Sequence, residues 1–201
     1  MKERFQLVGG NLALDFVNTL DYRYVPERLV NLLPNYETFL EFATQTGMIS
    51  EHQGRRLLRE ISETEGRRAL KRIIELREAM YSLFRSVALR QSPNRNCLKT
   101  FNRLLAETWV PDAVVWRKRE FARQRGMPKR ASNGLIPPIL DAAVNLLTSA
   151  DRRHIRECSD EKCRWLFLDR SKNHSRRWCD MRVCGNRAKV RRFHVRQRDG
   201  R

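Results

Sequence analysis

"CSDEKCRWLFLDRSKNHSRRWCDMRVCGNR", residues 158–187, carries four of the chain's five cysteines in the spacing Cys158-x4-Cys163-x15-Cys179-x4-Cys184. Two close pairs separated by a short segment let a chain surround a tetrahedral ion, with Zn–S distances of roughly 2.3 Å. Such a site replaces a hydrophobic core that 50 residues are too few to build. Helix geometry restricts how the second pair is presented, because positions five apart on a regular helix point about 140° apart and rise about 7.5 Å. A turn must therefore lie between Cys179 and Cys184, with Cys184 at or just before a helix start, where the dipole favours a thiolate. Gly185 and Asn186 offer a permissive backbone and a capping side chain there. Between the pairs, Trp165, Phe167 and Asp169 alternate ahead of a turn-like "SKNHS", which predicts a β-hairpin. Knuckle, hairpin and helix make a treble clef holding one structural Zn2+ on Cys158, Cys163, Cys179 and Cys184. His154 and His174 are nearby substitutes, but four cysteines already close the site. A redox switch on the same thiols is the competing reading. Cys97, alone in "RNCLKTF", reads as a helical thiol.

The formal charge is +18, and it is unevenly placed. Residues 151–201 hold 17 Lys/Arg against 7 Asp/Glu, a balance of +10, which leaves +8 on the first 150 residues. Such a chain favours polyanions, because releasing condensed counterions drives association whatever sequence is read. After the last cysteine, Arg187, Arg191 and Arg198 share one arc of a helical wheel, while Lys189 and Arg192 lie opposite. Val190 and Phe193 form a thin apolar stripe. These cations, with Lys172, Arg176 and Arg177 on the preceding segment, are the candidate nucleic-acid contacts, arginine forks suiting phosphates and guanine edges. DNA is the favoured partner, with RNA or an acidic protein as alternatives.

Upstream, "ERFQLVGG" predicts a short strand and a turn, and "NLALDFVNTL" a helix behind Asn11. Helices follow after Pro34-Asn35 and stop at Gly47, start again at a Ser50/Gln53 capping box, and run from Thr64 to Arg90 and through "NRNCLKTFNRLLAET". "DAVVWRKREF" predicts strands, residues 122–134 an exposed loop, and "PPILDAAVNLLTS" a closing helix. The fold class is α+β: a mostly helical domain with a few strands over 1–150 and a small zinc finger over 151–201, packed together. Asp15 and Asn18, polar residues among apolar neighbours, either satisfy backbone groups after Gly9-Gly10 or line a ligand pocket, and the former is favoured.

No stretch approaches the roughly 20 apolar residues of a membrane span, so a cytoplasmic protein is expected. No HExxH, P-loop, dinucleotide fingerprint or nucleophile elbow occurs, and Glu75 with Glu78 reads as a charged helix face, so no enzyme is expected, a metal-dependent activity in the N-terminal domain being the least favoured alternative. The C-terminal segment closely resembles the CGNR zinc finger, spelled by Cys184-Gly185-Asn186-Arg187, with "LFLDRS" and "RRWC" also present. "GGNLALDFVNTL" resembles the start of the ABATE domain, which precedes this finger in bacterial stress-induced transcription regulators. The resemblance implies a treble-clef domain that binds DNA, attached to a mixed α/β domain for sensing or partner binding.

Overall fold

The computed structural model describes residues 4–108, 113–117, 120–124 and 135–199. Its elements in order are α1 (Leu12–Val17), β1 (Leu20–Asp21), β2 (Val30–Asn31), α2 (Tyr36–Gln45), α3 (Glu51–Glu60), α4 (Glu63–Ala88), α5 (Arg95–Thr108), β3 (Ala113–Arg117), β4 (Glu120–Gln124), α6 (Ile136–Thr148), β5 (Ile155–Glu157), β6 (Leu166–Leu168) and α7 (Asn186–Asp199). Among the described residues the strands pair as three antiparallel couples, β1–β2, β3–β4 and β5–β6.

Side chains that stop or start the chain locally fix the helices. Asn11 accepts from Ala13 N–H and opens α1. Asn35 and Thr38 make a reciprocal capping box for α2, as Ser50 and Gln53 do for α3. Gly47, at φ +74°, ends α2 in the left-handed region. A third box, Ser62 with Glu65, opens α4, whose buried Ala69, Ile73, Leu76, Met80 and Phe84 run through the centre of the core. Cys97 sits on α5 packed against that core, away from the other cysteines. The expected loop begins within β4 at residues 122–124, and 125–134 lie outside the described residues.

The N-terminal strand is not formed. Instead the Gln45 amide, 40 residues away, accepts from Phe5 N–H at 3.0 Å and donates to Phe5 O at 2.6 Å, while the Phe5 ring packs edge-on against Phe42. One carboxamide supplies the donor and acceptor that a neighbouring strand would have offered.

The hairpin is also placed differently from the sequence expectation. β6 pairs with β5, in the register Ile155–Leu168, Arg156–Phe167 and Glu157–Leu166, so the Cys158–Cys163 knuckle forms the turn between the strands. The alternation of Trp165, Phe167 and Asp169 identifies a strand but cannot say on which side its partner lies. All three β6 residues are buried, and they divide between two cores. Leu166 and Leu168 join the main core with Ile155, whereas Phe167 belongs to a second cluster with the four cysteines and Trp165. A single strand, with alternating faces, thus belongs to both halves of the chain.

Candidate metal centre and nucleic-acid interface

Asp15 and Asn18 explain how the two halves are joined. Asp15 Oδ1 accepts from Gly9 N–H at 2.7 Å, and Gly9 O in turn accepts from Leu168 N–H at 2.8 Å. A Cβ on Gly9 would come within 2.9 Å of Asp15 N, Asp15 Oδ1 and Leu14 Cβ, so only glycine fits there. Asn18, 2% exposed, accepts from Leu166 N–H at 2.9 Å and donates to Leu166 O at 2.8 Å. Its amide pairs with β6 just as Gln45 pairs with Phe5. Both residues therefore bond backbone groups, Asp15 at the Gly9 turn as expected from the sequence and Asn18 on β6, a partner the sequence did not indicate. Burial pushes the Asp15 carboxyl up to about 6, against the lowering effect of the Gly9 bond.

Beyond β6, Asp169 builds the loop towards the second cysteine pair. Wholly buried, its carboxylate accepts from Ser171 N–H (3.0 Å), Ser171 Oγ (2.6 Å) and Arg176 N–H (2.9 Å). Burial would raise its pKa, but these bonds outweigh it and hold the carboxyl below its ordinary value. Arg176 stacks over the Phe167 ring at 4.5 Å and donates to the carbonyls of Trp178 and Cys179. His174 Nδ1 lies 2.9 Å from Asp169 O, and its ring stacks on His154 at 3.7 Å. The histidines pack on each other and stand outside the sulfur cluster.

Cys179 is followed by a wider, π-type helical turn, Met181–Gly185, that delivers the buried Cys184 immediately before α7. This is the break that helix geometry demanded. Its cap is Asp180, which accepts from Arg182 N–H at 2.7 Å, and not Asn186, whose amide donates back to Arg182 O at 2.8 Å. Gly185 lets the Met181 side chain fold over the turn, since a Cβ would lie 2.5 Å from the Met181 sulfur.

The four Sγ atoms lie within 4.8 Å of one another, with Cys163–Cys179 at 3.5 Å and Cys179–Cys184 at 3.6 Å. A tetrahedron with Zn–S bonds of roughly 2.3 Å has edges of about 3.8 Å, so the cage has the right size. Four buried thiolates that close cannot coexist without a cation; left to themselves they share protons, raising Cys163 and Cys179 and lowering Cys158. Bound zinc would neutralise half of the four negative charges. Arg187 is placed to offset more, with Nη2 3.0 Å from Cys184 Sγ.

Arg187 is in fact the hub of the finger. Its Nε lies 3.0 Å from Asp160 Oδ2, and its Nη1 donates to the Tyr22 hydroxyl at 3.1 Å, which ties α7 to the N-terminal half. Burial would lower its pKa, but Cys184, Asp160 and Tyr22 together hold it above the ordinary range. Arg191 Nη2 binds Asp160 Oδ1 at 3.1 Å. The arc shared by Arg187 and Arg191 thus faces the wholly buried Asp160 in the knuckle. Arg176 and Arg187 hold the finger together, and Arg191 is divided between Asp160 and solvent. Lys172, Arg177, Lys189 and Arg192 are exposed and make no ion pair among the described residues; the Arg198 side chain lies outside them. Val190 and Phe193 are 56% and 58% exposed. Asp160, Tyr22 and Trp178 escaped the sequence reading because their roles depend on contacts across the fold, for which no local spacing gives a signal. Glu75 pairs with Arg103, and Glu78 with Arg23 and Arg77.

Residues 154–197 match the CGNR zinc finger, and residues 10–150 match the ABATE family, described as "Putative stress-induced transcription regulator". The chain belongs to the ABATE family. Its finger binds one structural Zn2+ through Cys158, Cys163, Cys179 and Cys184. No curated protein matches the chain. Among the described residues no helix is long and apolar enough to cross a membrane.

Proposed function

We propose that this ABATE-family chain is a cytoplasmic, zinc-containing DNA-binding transcription regulator of the stress response, acting by binding and not by catalysis. The observation that carries the reading is the exposed trio Arg177, Lys189 and Arg192, which have no acidic partner among the described residues and lie on the helix and loop that flank the sulfur cage. Their chemistry suits phosphate oxygens: each cation that neutralises a phosphate displaces about 0.9 of a condensed counterion on B-form DNA. Arg187 supports this surface from behind and contributes no contact of its own.

The test is a salt series of duplex binding by the zinc-loaded protein and by a Lys189→Ala/Arg192→Ala variant. The variant is expected to keep its zinc and fold, to bind more weakly, and to lose about 1.8 from the slope of log K against log salt, two contacts at about 0.9 each. An unchanged slope would remove these side chains from the interface. An Arg187→Ala variant is expected to weaken zinc retention first, because it loses the contacts to Cys184, Asp160 and Tyr22 together.

A further inference from the structure

A cleft of about 400 Å³ opens between α7 and the segment joining the two cysteine pairs. One wall is the face of α7 formed by Ala188, Arg191, Arg192 and Val195, positions that recur at i, i+3, i+4 and i+7. The facing wall is Arg177 and Trp178, with the Arg177 guanidinium 5.2 Å over the indole ring. Ser159 lies at the exposed rim, and its N–H donates to Arg177 O at 2.9 Å, fixing that wall to the knuckle. Asp160 also lines the cleft, but Arg187 and Arg191 neutralise its carboxylate. Among the described residues Arg177 and Arg192 have no acidic partner, so the mouth of the cleft is cationic.

We infer that this cleft receives a single unstacked nucleotide of the DNA strand, its base against Trp178 and the apolar side chains of α7 and its phosphate on Arg177 and Arg192. The inference rests on the DNA-binding reading of the same finger and specifies what the finger recognises. Three features converge on it. The site is concave, so beyond the phosphate contacts of its exposed cations it has room for something that protrudes from the duplex. Cations alone would suit any phosphate, and an apolar slot alone any small hydrophobe. A nucleotide is the unit of DNA that presents an aromatic face and an anion together, and aromatic platforms beside cationic side chains are how unpaired bases are held. The volume is at the lower end of the roughly 300–1,000 Å³ typical of small-molecule clefts, enough for one such unit.

The experiment compares full-length zinc-loaded protein on three labelled DNAs: a plain duplex, the same duplex with one extra unpaired nucleotide, and that duplex with an abasic sugar in place of the extra nucleotide. Base stacking on an aromatic side chain predicts a roughly 5- to 150-fold preference for the unpaired nucleotide over the plain duplex. The abasic form is expected to lose it. Because Trp178 packs against the cysteine cluster, the first variant is Ala188→Leu, which fills the cleft from the helix side; it is expected to retain zinc and duplex affinity and to lose the preference. Equal binding to plain and bulged duplex overturns the inference and leaves the DNA reading standing. A preference that survives both the abasic sugar and Ala188→Leu overturns it too, since it would report DNA flexibility. Absence of binding to all three DNAs overturns both readings.

Discussion

Replacing Asn18 with Ala should destabilise the whole protein and not merely loosen the finger. The Asn18 amide makes both of its bonds to the Leu166 backbone, at 2.8 and 2.9 Å, inside the core. Truncation leaves a buried N–H and a buried C=O without partners, each costing about 1–3 kcal/mol, hence about 2–6 kcal/mol together. A typical domain is stable by only about 5–15 kcal/mol, so the loss is a large fraction of the total. Urea unfolding followed by circular dichroism should show an earlier midpoint with little change in slope. Asn18→Asp provides the control. Its carboxylate can accept from Leu166 N–H but turns lone pairs towards Leu166 O, so it should be poor at neutral pH and recover on acidification, when a protonated carboxyl regains a donor. A loss below about 1 kcal/mol in Asn18→Ala, within the net value of one ordinary hydrogen bond, would refute the argument that this amide stands in for a strand.

Zinc chelation should shift the melting of the entire chain, because β6 contributes Phe167 to the cysteine cluster and Leu166 and Leu168 to the main core; calorimetry showing an unmoved main transition would contradict this. Gly9→Ala should cost about 1–3 kcal/mol through overpacking, since the added carbon meets three atoms at 2.9 Å; a variant as stable as the parent in urea would show that this turn can open. Asp15, held at about 6 by burial, contributes stability that is fully present below its unfolded value of 3.8 and is lost as pH rises through 6. Asn at that position keeps an acceptor for Gly9 N–H, so stability measured from pH 4 to 7 should fall less in Asp15→Asn than in the parent.

The parts of the fold that could be read from sequence are those whose cause lies within a few residues. Asn35 with Thr38 and Ser50 with Gln53 cap their helices across three positions. Cys179 and Cys184 had to be separated by a break because of helix pitch alone, and the turn Met181–Gly185 is that break. What stayed hidden depends on partners far along the chain. Gln45 takes the place of a strand beside Phe5, and β5 rather than a downstream segment pairs with β6. The arginine arc shows the limit most clearly. A helical wheel groups Arg187 with Arg191 correctly, but it cannot tell whether such a face meets a phosphate or a carboxylate. Asp160, lying 27 and 31 residues before them, is the carboxylate that both side chains reach. An anion to which this arc binds is present within the protein, and among the described side chains of α7 Lys189 and Arg192 are exposed without an acidic partner.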